Sequence, residues 1–418
     1  MGVRWIGGLA FVAASSAAAC SGQIASSPSD AGAVRDAPVI EEGQSAADAA
    51  SPADDAGALQ EAAPPAQGDS CQTPGVTCTV PPSPPSGATP PPTGTSPHDY
   101  ALSQLFLGDT DRAGLLSGSA WESFGFNLDD LVTTEASKDV CTLAAGASTA
   151  TQIDGVGGID NSFGENLLPI VLSLAGSDFS ARLDAELSAG WFTDLMYVTG
   201  FDDLSGNTTS ANPLTGVLLA GGNYAAAHDG GAPAWDLATQ WPIEPESLNG
   251  CPAGVCPPGT NPVTSAKVRF PSAYQKDGTF VSGAPTEILL TLSVGGAPLT
   301  LSIHAATLAF GPNIPGSVTN GTIAGVLAAT ELVSSLQGVA GELSTSLCSG
   351  SAFQSVAQQI EQSADIVLDA TTGAVSNAPG VPCNGISIGL GFNATEIAPP
   401  ASASIAGPTP TPSPCGDP

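Results

Sequence analysis

The chain has 418 residues, a net charge of −31 and only 11% charged residues, most of them acidic. From Asp99 onward 30 Asp or Glu stand against six Lys or Arg (Arg112, Lys138, Arg182, Lys267, Arg269, Lys276), a balance of 6 − 30 = −24. Too few cations remain to cover a phosphate backbone or to hold an anionic lipid surface, so nucleic-acid binding and electrostatic membrane attachment are excluded as readings.

The first segment reads as an export signal. Arg4 opens it, an apolar run from Trp5 to about Ala14 follows, and Ala17, Ala18 and Ala19 supply the small residues of a cleavage site. The run is too short to span a bilayer of about 30 Å as a helix. Residues 1–19 are therefore the expected signal peptide, and Cys20, followed by Ser21 and Gly22, is the expected acylated first residue. The stretch resembles a bacterial lipoprotein lipobox, with Ala17 where that pattern prefers Leu.

Residues 20–97 are dominated by Ala, Ser, Asp, Gly and Pro and end in "TVPPSPPSGATPPPTGTSPHD". With little apolar surface to bury, this segment is expected to be a disordered tether. Residues 98–400 are the expected globular domain, with 203–264 as the candidate boundary if it divides in two, and 401–418 as a low-complexity tail.

In chain order, "DYALSQLFLGDTDRAGLL", "ENLLPIVLSLAGSDFSARLDAELSAG" and "WFTDLMYVTGF" carry apolar runs compatible with helix or strand. The stretch 203–264 reads as loop. "SAKVRFPSAY" and "GTFVSG" read as strands, and "TEILLTLSV" with "LTLSIHAATLAF" as a hairpin about "GGAP", since Ile288, Leu290, Leu292 and Val294 alternate with polar residues. "GTIAGVLAATELVSSLQGVAGEL" is predicted as one helix carrying Ile323, Val326, Leu327, Val333 and Leu336. "SAFQSVAQQIEQSADIVLD" is predicted as a second, capped by Ser351 and carrying Phe353, Val356, Ile360, Ala364 and Val367. "GISIGLGFNATEI" returns to the period of two. The expected class is α+β and β-rich, with sandwich-like sheet packing and a helical hairpin near the C-terminus.

Without Cys20 eight cysteines remain: Cys71, Cys78, Cys141, Cys251, Cys256, Cys348, Cys383 and Cys415. An even number in an exported chain favours disulfides. Cys71–Cys78 and Cys251–Cys256 are read as local closures, Cys348 is paired with Cys383, and Cys141 is left with Cys415. Zinc would want His clusters or paired Cys-x-x-Cys spacings, and neither occurs in the sequence.

The candidate chemistry is sparse. Gly385, Ser387 and Gly389 form G-x-S-x-G, but the strand pattern continues where a hydrolase needs an elbow and a helix. His98, His228 and His304 share no metal-like spacing, and His228 beside Asp229 reads as a solvated loop. Asp129–Asp130, Asp202–Asp203 and Glu244 with Glu246 are carboxylate pairs, and Trp191, Trp235 and Trp241 could line a sugar site. In "TQIDGVGGIDNSFGENLLP" an EF-hand fails, because Val156 and Gly158 fall where oxygen ligands belong. A capping box of Ser162 with Glu165 fits, and Pro169 would shorten the helix that follows. A calcium held by Asp109, Asp111, Asp129, Asp154 and Asp160 is the alternative.

The combination "WESFGFNLDDLVTT", "DGVGGIDNSFGENLLP", "GTIAGVLAATELV" and "PCNGISIGLGFNA" resembles exported lipoproteins of large-genome, myxobacterial-type soil bacteria. That resemblance covers most of 100–395. It implies an envelope location and carries no assigned activity. The expected function is thus a lipid-anchored surface or periplasmic protein with a binding or structural role toward a protein or glycan. The alternative is a secreted hydrolase, acting on polysaccharide or ester through carboxylates.

Overall fold

The computed structural model describes residues 69–204, 208–295 and 297–400, all within one compact unit. The signal segment, Cys20, the first part of the tether and the tail with Cys415 lie outside the described residues. In chain order the strands are β1 (Asp69–Ser70), β2 (His98–Phe106), β3 (Leu131–Val132), β4 (Thr193–Thr199), β5 (Ala211–Gly221), β6 (Val268–Lys276), β7 (Thr279–Val281), β8 (Thr286–Val294), β9 (Ala297–Phe310), β10 (Pro312–Ile314), β11 (Ser317–Ala328), β12 (Val367–Leu368), β13 (Val375–Ser376) and β14 (Gly385–Glu396). The helices are α1 (Leu168–Ala175), α2 (Phe179–Ser188), α3 (Tyr224–Ala227), α4 (Pro262–Ser265), α5 (Ala329–Leu343) and α6 (Gly350–Gln362). None of the helices among the described residues is long and apolar enough to cross a membrane.

Ten strands form one antiparallel sheet in the order β10-β11-β14-β2-β4-β5-β6-β7-β9-β8, and β9 also pairs with β11. The sheet therefore closes on itself through β9, β11, β14, β2, β4, β5, β6 and β7, leaving β8 and the short β10 as its one-sided strands. β8 and β9 form the expected hairpin, with Leu290 opposite Leu301. Alternate residues turn inward and fill one core. Phe270, Phe280, Phe310 and Phe392 meet there with Tyr100, Ile303, Ile386, Ile388 and Leu390, all nearly inaccessible. Opposite walls of the closed sheet face each other across this core, so the β-rich α+β class and the sandwich-like packing both hold. α5 and α6 supply the C-terminal helical hairpin.

Several expectations are corrected. Residues 69–97 are not a free tether. β1 pairs with β3, Tyr274 Oη donates to the Pro82 carbonyl, and Thr89 exchanges backbone hydrogen bonds with Asn212. Proline-rich chain has few backbone donors, so an extended strap can lie on a sheet without forming one. The stretch 203–264 is not a boundary, since β5 lies within it and joins β4 to β6. The helix predicted from Gly321 begins only at Ala329. Its first part is β11, where Val326 and Leu327 pair with Ser387 and Ile386. β-branched residues favour that ladder, and glycines weaken the helical alternative.

The second helix ends at Gln362, so Val367 belongs to β12. Its N-cap is Ser349, not Ser351, and that serine makes no side-chain cap. Cys71–Cys78 and Cys251–Cys256 pair as expected. Cys383 pairs with Cys141 and not with Cys348, joining segments 242 residues apart. Cys348 is disulfide-bonded too.

Candidate functional site

Outside the barrel, residues 120–167 form a cover over β14. Inward Ile386, Ile388, Leu390 and Phe392 leave Ser387, Gly389 and Gly391 on the outer face. A Cβ at Gly389 would collide with the Phe124 carbonyl, and one at Gly391 with the Phe124 ring. Gly389, the second glycine of G-x-S-x-G, and Gly391 beyond it are therefore the clearance for this cover. Ser387 is fully buried; its hydroxyl donates to Asp365 Oδ2 at 2.5 Å and accepts from the Ser162 N–H at 2.8 Å. It is a packing residue, not a nucleophile.

The "DGVGGIDN" stretch is the seam of this cover. Asn161 is buried, and its Oδ1 accepts from the N–H groups of Gly164 and Gly389, each at 3.0 Å. Its Nδ2 faces the carbonyls of Trp121 (3.2 Å), Phe124 (3.1 Å) and Gly389 (3.0 Å). Asn161 thus takes the capping role expected of Ser162, whose hydroxyl donates to the Ser363 carbonyl instead. Phe163–Leu167 forms a π-helical turn. Pro169 follows in the first turn of α1, where a missing N–H costs nothing.

The five aspartates proposed for calcium do not assemble. Asp111 Oδ1 accepts the N–H groups of Ala113 and Leu115 within its own turn, and Asp109 borders a hollow beside Trp121 and Leu172. Asp129, Asp154 and Asp160 do share a buried region, joined by Asp365. Asp129 accepts from Leu131 N–H and Asn377 Nδ2, Asp160 from Leu128 N–H at 2.6 Å, and Asp154 from Thr133 N–H. Asp154 is also hydrogen-bonded to Asp160. Burial, together with the neighbouring carboxylates, pushes Asp154 up to about 8 and Asp160 well above the ordinary carboxyl range. Burial likewise lifts Asp365 to about 7. Their hydrogen bonds tie the loops of the cover together.

Ligands of one calcium lie at most about 5 Å apart, since each is about 2.3–2.6 Å from the ion. Among the described residues the group whose ligating atoms all fall within 4.8 Å of one another is His98, Asp203 and Glu396, not these aspartates.

The remaining candidates are structural. The His228 ring stacks on Tyr224 at 3.8 Å in an exposed loop, beside Asp229 with φ of 53°. Trp241 is fully buried, and its Nε1 donates to the Gly222 carbonyl; Trp235 packs on it at 5.2 Å, while Trp191 is exposed. No sugar platform results. Glu244 and Glu246 are hydrogen-bonded to each other, and burial pushes Glu244 up to about 7.

A groove of about 580 Å³ lies where β9, the start of α5 and the segment before β14 meet. Leu143, Ala328, Ala329, Ala364, Leu368 and Cys383 form its apolar wall, and His304, Glu331, Glu361 and Asp369 its polar groups. His304 Nε2 lies 2.7 Å from Glu331 Oε2. The backbone that places His304 is strained. Ala305 has φ of 48°, a left-handed conformation that costs an alanine about 1 kcal/mol or more. The β9–β11 register shifts there, opposite Gly325, whose added Cβ would strike the His304 carbonyl. Bulges of this kind re-aim a side chain, and they recur beside functional sites.

Sequence reasoning placed His304 in a strand and passed over it. One signal was available. The inward apolar positions run Leu299, Leu301, Ile303 and then Ala306, Leu308, Phe310, a change of parity that requires an extra residue between them. Glu331 and Glu361 carried no signal, because a helix-surface glutamate looks the same wherever the helix docks.

The fold is a disulfide-braced, closed antiparallel β-barrel with a helical hairpin and a groove on the barrel's side. No family model matches this chain, nor does any curated protein or solved structure.

Proposed function

We propose that this is an exported, lipid-anchored binding protein of the bacterial envelope, its groove taking a small ligand with an apolar body and a neutral or cationic polar end. The observation that carries the reading is the His304–Glu331 pair, held at the apolar groove by a strained bulge. Strain at a backbone position is retained where the surrounding structure and the role of the site both require it. The groove lining includes three carboxyl groups and no Lys or Arg, which disfavours an anionic ligand. Three disulfides among the described residues are compatible with an oxidising location, and the sequence around Cys20 supplies the anchor.

Calorimetric titration with octylammonium and with octanoate, both below their micellar concentrations, tests the ligand class. The ammonium should bind, and Glu331→Gln or His304→Ala should weaken it at least tenfold. Preference for octanoate would sink the reading. For the anchor, bacterial cells expressing the full chain are fed an alkyne fatty acid. Cys20→Ala should abolish the label and release the protein from the membrane fraction.

The rival reading, a carboxylate hydrolase, has Glu331 and Glu361 in the same groove. Turnover of aryl esters or aryl glycosides, lost in both Glu331→Gln and Glu361→Gln, would favour it.

A further inference from the structure

We propose that His98, Asp203 and Glu396 form a divalent-metal site of the zinc class at the end of the barrel remote from the groove. The three come from the start of β2, the segment after β4 and the end of β14. His98 Nδ1 lies 2.7 Å from Glu396 Oε1 and 3.8 Å from Asp203 Oδ2. Bonds of about 2.0–2.2 Å from one ion to an imidazole nitrogen and two carboxylate oxygens put the ligating atoms roughly 3–4 Å apart. The first separation falls a few tenths of an ångström short of that range, the second lies within it, and all three ligating atoms lie within 4.8 Å of one another.

The ligands are held in place from outside the triad. Asp203 Oδ2 accepts from the Gly316 N–H at 3.0 Å and from Tyr100 Oη at 3.4 Å. The His98 ring stacks on Tyr100 at 5.9 Å and meets Phe201 edge-on at 6.2 Å. Such surrounding contacts orient metal ligands in known sites. The charge is also unbalanced. The ion pairs of Asp203 and Glu396 both run to the single imidazole of His98, and the next residue, Asp99, adds a third carboxyl nearby. A dication corrects that imbalance.

The triad side chains keep 14, 12 and 20% of their surface, enough for solvent to complete the coordination. An imidazole ligand favours zinc, copper, iron or nickel over calcium and magnesium.

The site is independent of the groove. Ser317 and Thr395, next to Glu396, mark one end of the β11–β14 ladder, Gly385 and Ala328 the other. At about 3.3 Å per residue the two ends are roughly 35 Å apart.

The test uses the full chain, stripped with EDTA. Zn²⁺ titrated by calorimetry should bind once per chain, Co²⁺ should give a visible d–d spectrum, and Zn²⁺ should raise the melting temperature by several degrees where Ca²⁺ and Mg²⁺ do not. His98→Ala and Glu396→Gln should each weaken Zn²⁺ binding at least a hundredfold, while His304→Ala should leave it unchanged. Asp203→Asn keeps an acceptor for Gly316 and Tyr100, so it separates lost ligation from lost folding, with circular dichroism as the check. Absence of the Co²⁺ spectrum, or Zn²⁺ binding that survives His98→Ala, overturns the proposal.

Discussion

Asn161 and Gly389, 228 residues apart, exchange two hydrogen bonds: the Gly389 N–H donates to Asn161 Oδ1, and Asn161 Nδ2 donates to the Gly389 carbonyl, each at 3.0 Å. One side chain thereby fastens the cover to the outer face of β14. Asn161→Ala removes it and leaves buried backbone groups unpaired, each costing about 1–3 kcal/mol. The expected loss is about 3–5 kcal/mol, read from urea unfolding, with native-state hydrogen exchange rising first in residues 120–165. Gly389→Ala should do comparable damage, because its methyl group meets backbone, which cannot swing aside. A change under about 1 kcal/mol in both variants would mean the cover contributes little.

The buried acids give stability a sign with pH. Asp154 at about 8, and Asp99 and Asp365 at about 7, are raised above their unfolded values near 4. The folded state therefore holds more protons than the unfolded one between roughly pH 4 and pH 8. This contribution is complete below pH 4 and is lost as pH rises through 7 to 8. The melting temperature should fall by a few degrees or more from pH 5 to pH 8.5. Asp160→Asn mimics the protonated acid, accepting from Leu128 N–H and donating to Asp154. It should raise stability at pH 8.5, change little at pH 5 and flatten the profile. A wild-type profile that rises with pH would contradict this account.

Relief of the bulge should stabilise. Ala305→Gly removes the Cβ that makes φ of 48° unfavourable, at some cost from the more flexible unfolded chain. The expected net gain is up to about 1 kcal/mol, seen as a higher melting temperature. Ligand affinity in the groove should fall, because His304 is then less firmly aimed. A destabilised variant would show that Ala305 carries no strain.

The Cys141–Cys383 bridge closes a separation of 242 residues. In the chain-entropy account a loop that long contributes about 5 kcal/mol, and measured values are commonly lower. Cys141→Ser with Cys383→Ser should lower stability by about 2–5 kcal/mol. Loss of the local Cys251–Cys256 bridge should cost less, since its separation is only 5.

Much of the fold was legible where the evidence is local. The alternation of Ile288, Leu290, Leu292 and Val294, and of Ile386, Ile388, Leu390 and Phe392, is a property of neighbouring residues, and both strands stand where they were expected. β11 was misread because Ile323, Val326 and Leu327 satisfy a helical spacing as well as a strand, and only pairing with β9 and β14 decides between them. β5 was missed because Pro213 and its small residues lack the usual strand signature.

The candidate sites show the same division. Sequence alone determined that the chain is too acidic for nucleic acid, that most of its cysteines pair, that Ser387 sits in a strand and that "DGVGGIDN" leads into a helix. Tertiary structure decided that this stretch is a seam, that Cys383 finds Cys141, and that His304 meets Glu331. It also decided that His98 meets Asp203 and Glu396 across separations of 105 and 298 residues (203 − 98 and 396 − 98). The physical reason is range. Backbone propensity and side-chain alternation act over a few residues, whereas ligation, hydrogen bonding and packing need atoms within a few ångströms, whatever chain lies between them.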